Sequence, residues 1–155
     1  MRRETKVALA RNKFLRDRKK LRDPLTTRLG LPVKISEDSF DASVTLAEWI
    51  LAKIKQLPSE IDNRCSEGEF QKQTAKVFDK LGRQPWLVLS HWKHVGAIRV
   101  PSVALEAKAL ALLHFDGDTI FGCDEEERFL FLFDFDPDYG SGVEYNVILT
   151  SWSPN

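Results

Sequence analysis

The carboxylates in the last third of the chain are the first candidates for chemistry. Asp134, Asp136 and Asp138 alternate along one stretch, and Asp116 and Asp118 flank a glycine shortly before it. Alternation in a strand places Asp134 and Asp136 on one face, and such hard oxygens suit Mg²⁺ or Ca²⁺. Pro137 and Tyr139 break the ligand pattern of a calcium loop, so no metal or cofactor is assigned. His91, His94 and His114 are the histidines of the chain. In a strand His91 and His94 point to opposite faces, and zinc would need two further ligands. There is no Gly-x-Ser-x-Gly elbow and no Walker loop, and Gly140-Ser141-Gly142 does not lead into a helix, so it is no phosphate cradle. No catalytic residue is assigned.

The charge is segregated. Residues 1–34 carry twelve Lys/Arg and three Asp/Glu, whereas residues 114–155 carry Arg128 alone against ten acids. The chain as a whole is neutral. Such asymmetry suggests electrostatic recognition by one or both ends; the alternative is that the two ends lie together and neutralise each other. The acidic end is suited to a basic protein partner. Asp134, Asp136, Asp138 and Tyr139 are the leading contact candidates, with Tyr139 as an aromatic anchor in a charged rim. Asp124, Glu125, Glu126 and Glu127 come second. The basic end offers Arg11, Arg16, Arg18, Lys19, Lys20 and Arg22 to nucleic-acid phosphates, without interleaved aromatics that would read bases.

The elements that must position these groups follow from periodicity. Arg128–Asp136 has the strongest two-residue period: Phe129, Phe131, Phe133 and Phe135 line one face, and Leu130, Leu132, Asp134 and Asp136 the other. It reads as a central strand with an acidic far end. Residues 4–22 read as a basic helix with a thin apolar stripe of Val7, Ala10, Phe14 and Leu21, stopped by Pro24. Residues 25–42 read as a loop with a short strand at Leu31–Ile35. Thr45–Gln56 is a helix capped at Ser43, and 67–81 is a second helix ending before Gly82. Trp86–Ser90 and Ala97–Val100 are strands. Val103–Ala107 is one helical turn, Ala109–Phe115 a strand, Asp116-Gly117-Asp118 a hairpin turn and Thr119–Cys123 its return. After the Phe strand and the loop Pro137–Gly142, the last strand is Glu144–Trp152. The expectation is one α+β domain: a basic arm over 1–24, a helical layer over 43–82 on one face, and an antiparallel meander of about five or six strands over 85–152. The expected core is the Phe face with Trp86, Leu87, Leu89, Leu110, Leu112, Val147 and Leu149.

Length and composition bound the rest. A chain of 155 residues buries enough surface to fold without disulfides. Cys65 and Cys123 have no metal-ligand spacing and fit idle thiols in a reducing cytoplasm. The basic N-terminus is followed by no apolar run, so no signal peptide is expected, and no stretch reaches the ~20 apolar residues of a membrane span.

Two family resemblances bear on function. Glu106-Ala107-Lys108 resembles the Glu-x-Lys half of the PD-(D/E)xK nucleases, where a carboxylate binds metal and a lysine helps activate water. No Asp or Glu lies between Asp79 and Glu106, so that family's upstream ligand is missing. In chain length, helices before a meander, the Gly117–Asp124 hairpin and the acidic tail, the sequence resembles the small bacterial immunity proteins of polymorphic and contact-dependent toxin systems. That resemblance implies a cytoplasmic, non-catalytic protein that blocks a basic, nuclease-type toxin one to one. Nucleic-acid binding through the basic helix is the alternative expectation, and a metal-dependent nuclease stands behind it.

Overall fold

The computed structural model describes residues 2–33, 40–90, 92–117, 119–136 and 144–152, the side chains of Val7, Phe40, Asp41 and His94 excepted. Its elements in chain order are α1 (Arg3–Leu29), α2 (Phe40–Gln56), β1 (Ser59–Cys65), α3 (Glu67–Phe78), β2 (Trp86–Val88), α4 (Trp92–Val95), β3 (Ile98–Arg99), α5 (Ser102–Asp116), β4 (Thr119–Cys123), β5 (Phe129–Asp136) and β6 (Glu144–Ser151). The strands form one sheet in the order β1-β6-β5-β4-β2-β3, with every neighbouring pair antiparallel. The fold class is α+β.

β5 divides the core as its two-residue period requires. Phe131 and Phe133 are fully buried against α3, α5 and the end of α1, through Phe70, Val77, Phe78, Leu105, Leu112, Leu113 and Leu25. Leu130 faces the other way and packs with Phe121, Cys123, Trp86 and Val88 against Ala47, Ile50 and Ile54 of α2. The helices expected on one face are therefore divided between two. The cause is the two-sided apolar character of β2, β4 and the first half of β5, which needs a cover on each side.

Two long helices depart from the expected elements. α1 continues through Pro24 to Leu29 and ends at Gly30, whose φ of 68° is the left-handed conformation glycine adopts without strain. Burial of Leu25 and Leu31 holds this last stretch in the core despite the hydrogen bond Pro24 cannot make. Leu31–Val33 form no strand, and residues 34–39 lie outside the described residues. α5 replaces the expected helical turn, strand and hairpin turn. Leu105, Ala109, Leu112 and Leu113 are its buried face at helical spacing, and the alanines between them favour a helix. Gly117, at φ 98°, caps α5 and is no hairpin turn.

Two smaller differences matter for the site. α2 starts at Phe40, so Ser43 is a buried residue within the helix, not its cap. β1 is an edge strand that the sequence reading did not contain. It pairs with β6 from Ser59↔Thr150 to Cys65↔Tyr145, with an irregularity between Ser59 and Ile61. No described helix is long and apolar enough to cross a membrane.

Candidate functional site

Antiparallel pairing brings directly opposed residues to the same face. Asp134 pairs with Asn146 and Asp136 with Glu144 across β5 and β6. β6 in turn sets Asn146 against Arg64 and Ile148 against Asp62 of β1. These residues continue the face on which Leu130 lies, beyond the part that α2 covers. A half-exposed strip results, floored by Leu132 and Ile148 and carrying Asp62, Asp134, Asp136 and Glu144 against, among the described residues of these strands, the one cation Arg64. Arg64 is 3.9 Å from Glu144, an exposed pair of little energetic weight. Asp134 accepts a hydrogen bond from Thr119 Oγ1 at 3.2 Å. Asp62 makes no such contact among the described residues.

The strip is part of what the sequence pointed to, and it leaves the other candidates elsewhere. Asp138 and Tyr139, with the whole Pro137–Gly142 loop, lie outside the described residues. Asp124–Glu127 form the β4–β5 connection at the opposite end of β5, about 25 Å from Asp136 at 3.3 Å per residue. They do not share a surface with Asp134 and Asp136. Asp124 is buried and accepts from the backbone N–H groups of Arg128 (2.7 Å) and Phe129 (2.8 Å), so its carboxylate shapes the turn. Glu125 accepts from the Gln84 N–H, and Glu126 pairs with Arg128 at 3.4 Å. Asp62 was missed, because the polar sequence of β1 carries only the alternation of Ile61, Asn63 and Cys65 as a strand signal.

On α1 the candidate cations separate. Arg18 is 2% exposed and turned into the protein. Its Nε donates to Val95 O at 2.9 Å, and one terminal nitrogen donates to Ser43 Oγ at 2.9 Å and Ala97 O at 3.0 Å. Its guanidinium also lies over the Phe14 ring, 4.4 Å from the centroid. Arg18 is thus a structural pin and does not offer its charge to phosphates. The reason is the approach of α1 to the residues before β3, whose carbonyls need donors once buried. Arg11, Arg16, Lys19 and Lys20 are exposed, and Arg22 is half-buried beside Asp23.

The catalytic candidates do not assemble. Glu106 and Lys108 stand on α5, two residues apart on a helix, and so point to different sides. Asp116 is engaged by Ser90, whose N–H and Oγ donate to it at 2.8 and 3.0 Å. Asp118 and His91 lie outside the described residues. Among the described residues no three His, Cys, Asp or Glu side chains gather as a metal site. His114 is hydrogen-bonded to the Tyr145 hydroxyl at 2.8 Å, and burial, then Glu67 and Cys65, raise the pKa of that phenol. Burial followed by Glu69 raises the pKa of the Cys65 thiol, and burial followed by Glu127 and Asp124 raises that of Cys123 strongly. Both cysteines are held as thiols, the opposite of what a nucleophile needs.

Comparison with family models, curated proteins and solved structures finds no match to this chain.

Proposed function

We propose that this chain is a non-enzymatic binding protein, an immunity factor of the cytoplasm that blocks a basic, nuclease-type bacterial toxin with its acidic sheet face. The observation that carries the proposal is the half-open strip beyond α2, where Asp134, Asp136 and Glu144 lie on one side of the partly exposed Leu132 and Ile148, and Asp62 lies beside Ile148 on β1. An apolar patch bordered by carboxylates suits a cationic protein surface, and the carboxylates would steer association. Asp134 and Asp136 are the primary contacts. Asp138 and Tyr139, outside the described residues, remain proposed contacts on sequence grounds alone. Asp124 is removed from it by its role in the turn, and Glu125–Glu127 by distance. The test is protection in cells: co-expression with a nuclease toxin encoded beside this chain should restore growth, and D134K/D136K should not. Equal protection by both would remove the strip from the account.

A second reading is favoured by one observation. Arg11, Arg16, Lys19 and Lys20 are exposed along α1, and a basic helix of this kind suits phosphate binding without base reading. Gel shifts with duplex DNA and RNA should then weaken steeply with salt and vanish in R11E/K19E/K20E; no shift at low salt ends this reading.

A further inference from the structure

We propose that the acidic strip is also a docking site for α1 of a second copy of this chain. Residues 2–13 precede the first buried side chain of α1, Phe14, and their described side chains are all exposed. Lys6, Leu9, Lys13, Arg16 and Lys20 recur at intervals of three and four residues, so they form one stripe along the helix. That stripe points away from Phe14, Arg18 and Leu25, the residues that attach α1 to the body. Leu9 is 53% exposed, with Lys6 before it in the stripe and the other three cations after it. None of these four makes an ion pair among the described residues. A solvated helix of this length gains little stability by itself, so a basic stripe with an exposed leucine, unpaired among the described residues, is free to take an acidic partner.

The occupant is argued from charge and placement. α1 lies beside α4 and the residues leading into β3, where Arg18 bonds Val95 and Ala97. The acidic strip is on β5, β6 and β1, at the other end of the strand order. The strip begins at β5, three strand spacings of about 4.8 Å from β3, with α2 on the face between, and within one chain the described side chains of residues 2–13 stay exposed, so the contact is one between copies. The stripe from Lys6 to Lys20 is about 21 Å long at 1.5 Å per residue. The strip spans two strand spacings, about 10 Å, by about 13 Å along four residues of strand. The helix therefore crosses it completely, setting Leu9 over Leu132 and Ile148 and the flanking lysines over the carboxylates. Zero net charge on the whole chain removes the long-range repulsion that would oppose pairing. In such an assembly the strip stays covered until a more basic partner displaces the helix.

Sedimentation of the full chain tests this. At about 10 mM salt, where charges act over about 30 Å, the wild type should sediment above the monomer mass; at about 1 M, where they act over about 3 Å, it should be monomeric. K6E/K13E and D134K/D136K should each weaken self-association at least tenfold. An equimolar mixture of the two variants should associate again, because each supplies the half the other lacks. A monomeric wild type at low salt, self-association that survives both reversals, or a mixture that fails to associate would overturn the proposal. K6E/K13E keeps the acidic strip, so its binding to a toxin separates failure of this inference from failure of the proposed function.

Discussion

The Arg18 guanidinium of α1 and the Ser43 hydroxyl of α2 meet at 2.9 Å inside the protein, twenty-five residues apart in sequence. The same guanidinium satisfies the carbonyls of Val95 and Ala97. One side chain therefore joins α1, α2 and the approach to β3. R18A should lower stability by about 3 kcal/mol, because it leaves buried acceptors without donors. At this size that is a fall in Tm of roughly 10 °C. R18M should restore the packing of the stem and recover only part of the loss. R16A, on the exposed side of the same helix, should change stability by less than about 0.5 kcal/mol. Thermal unfolding by circular dichroism reads all three, and equal effects of R18A and R16A would contradict the pin.

The acids of the β4–β5 connection should behave differently from one another. D124A removes the acceptor for two backbone N–H groups and should cost about 1–3 kcal/mol. E126A breaks an exposed pair and should cost less than about 1 kcal/mol. Glu127 sits at φ 60°, where a side chain is strained, so E127G should be neutral or stabilising. Urea unfolding of the three variants checks the order, and a D124A effect no larger than that of E126A would show that the turn does not depend on Asp124.

Alkaline pH should unfold the protein through Cys123. Its thiol is fully buried, and burial, with Glu127 and Asp124, lifts its pKa far above the ordinary thiol value of 9.0. Below pH 9 the thiol is protonated in both folded and unfolded chains, and its contribution is complete. Above pH 9 the unfolded chain ionises and the folded chain does not, so stability is lost as pH rises. C123A should flatten the decline of Tm between about pH 8.5 and 10.5. The native thiol should also resist Ellman's reagent until the chain unfolds. Rapid labelling at pH 8 in the native state would contradict the burial.

What the sequence made legible was decided by how cleanly a period showed. β5 was legible to within one residue, Arg128 being read as its first where Phe129 is, because Phe and Leu alternate over Phe129–Phe133 and each set has its own helix layer. α5 was not, because Leu105–Leu113 is apolar almost throughout and neither period stands out; its alanines were the signal that favoured a helix. β1 was hidden by its polarity, since an edge strand needs only one apolar side. The site was half legible for the same reasons. Asp134 and Asp136 followed from the alternation of β5, whereas Asp62 required a strand that no strong pattern announced. Arg18 read as one more surface cation, because nothing local distinguishes it from Arg16 or Lys19; its burial comes from carbonyls nearly eighty residues away.

The strip on β5, β6 and β1 is the proposed seat of a basic partner. The most direct test is the affinity of a cognate nuclease-type toxin, by calorimetry, for wild type, D134K/D136K and R11E/K19E/K20E. D134K/D136K should lose at least a hundredfold, equivalent to about 2.8 kcal/mol, and the helix variant should change less than threefold. Unchanged affinity in D134K/D136K, with the loss falling on R11E/K19E/K20E instead, would contradict that seat.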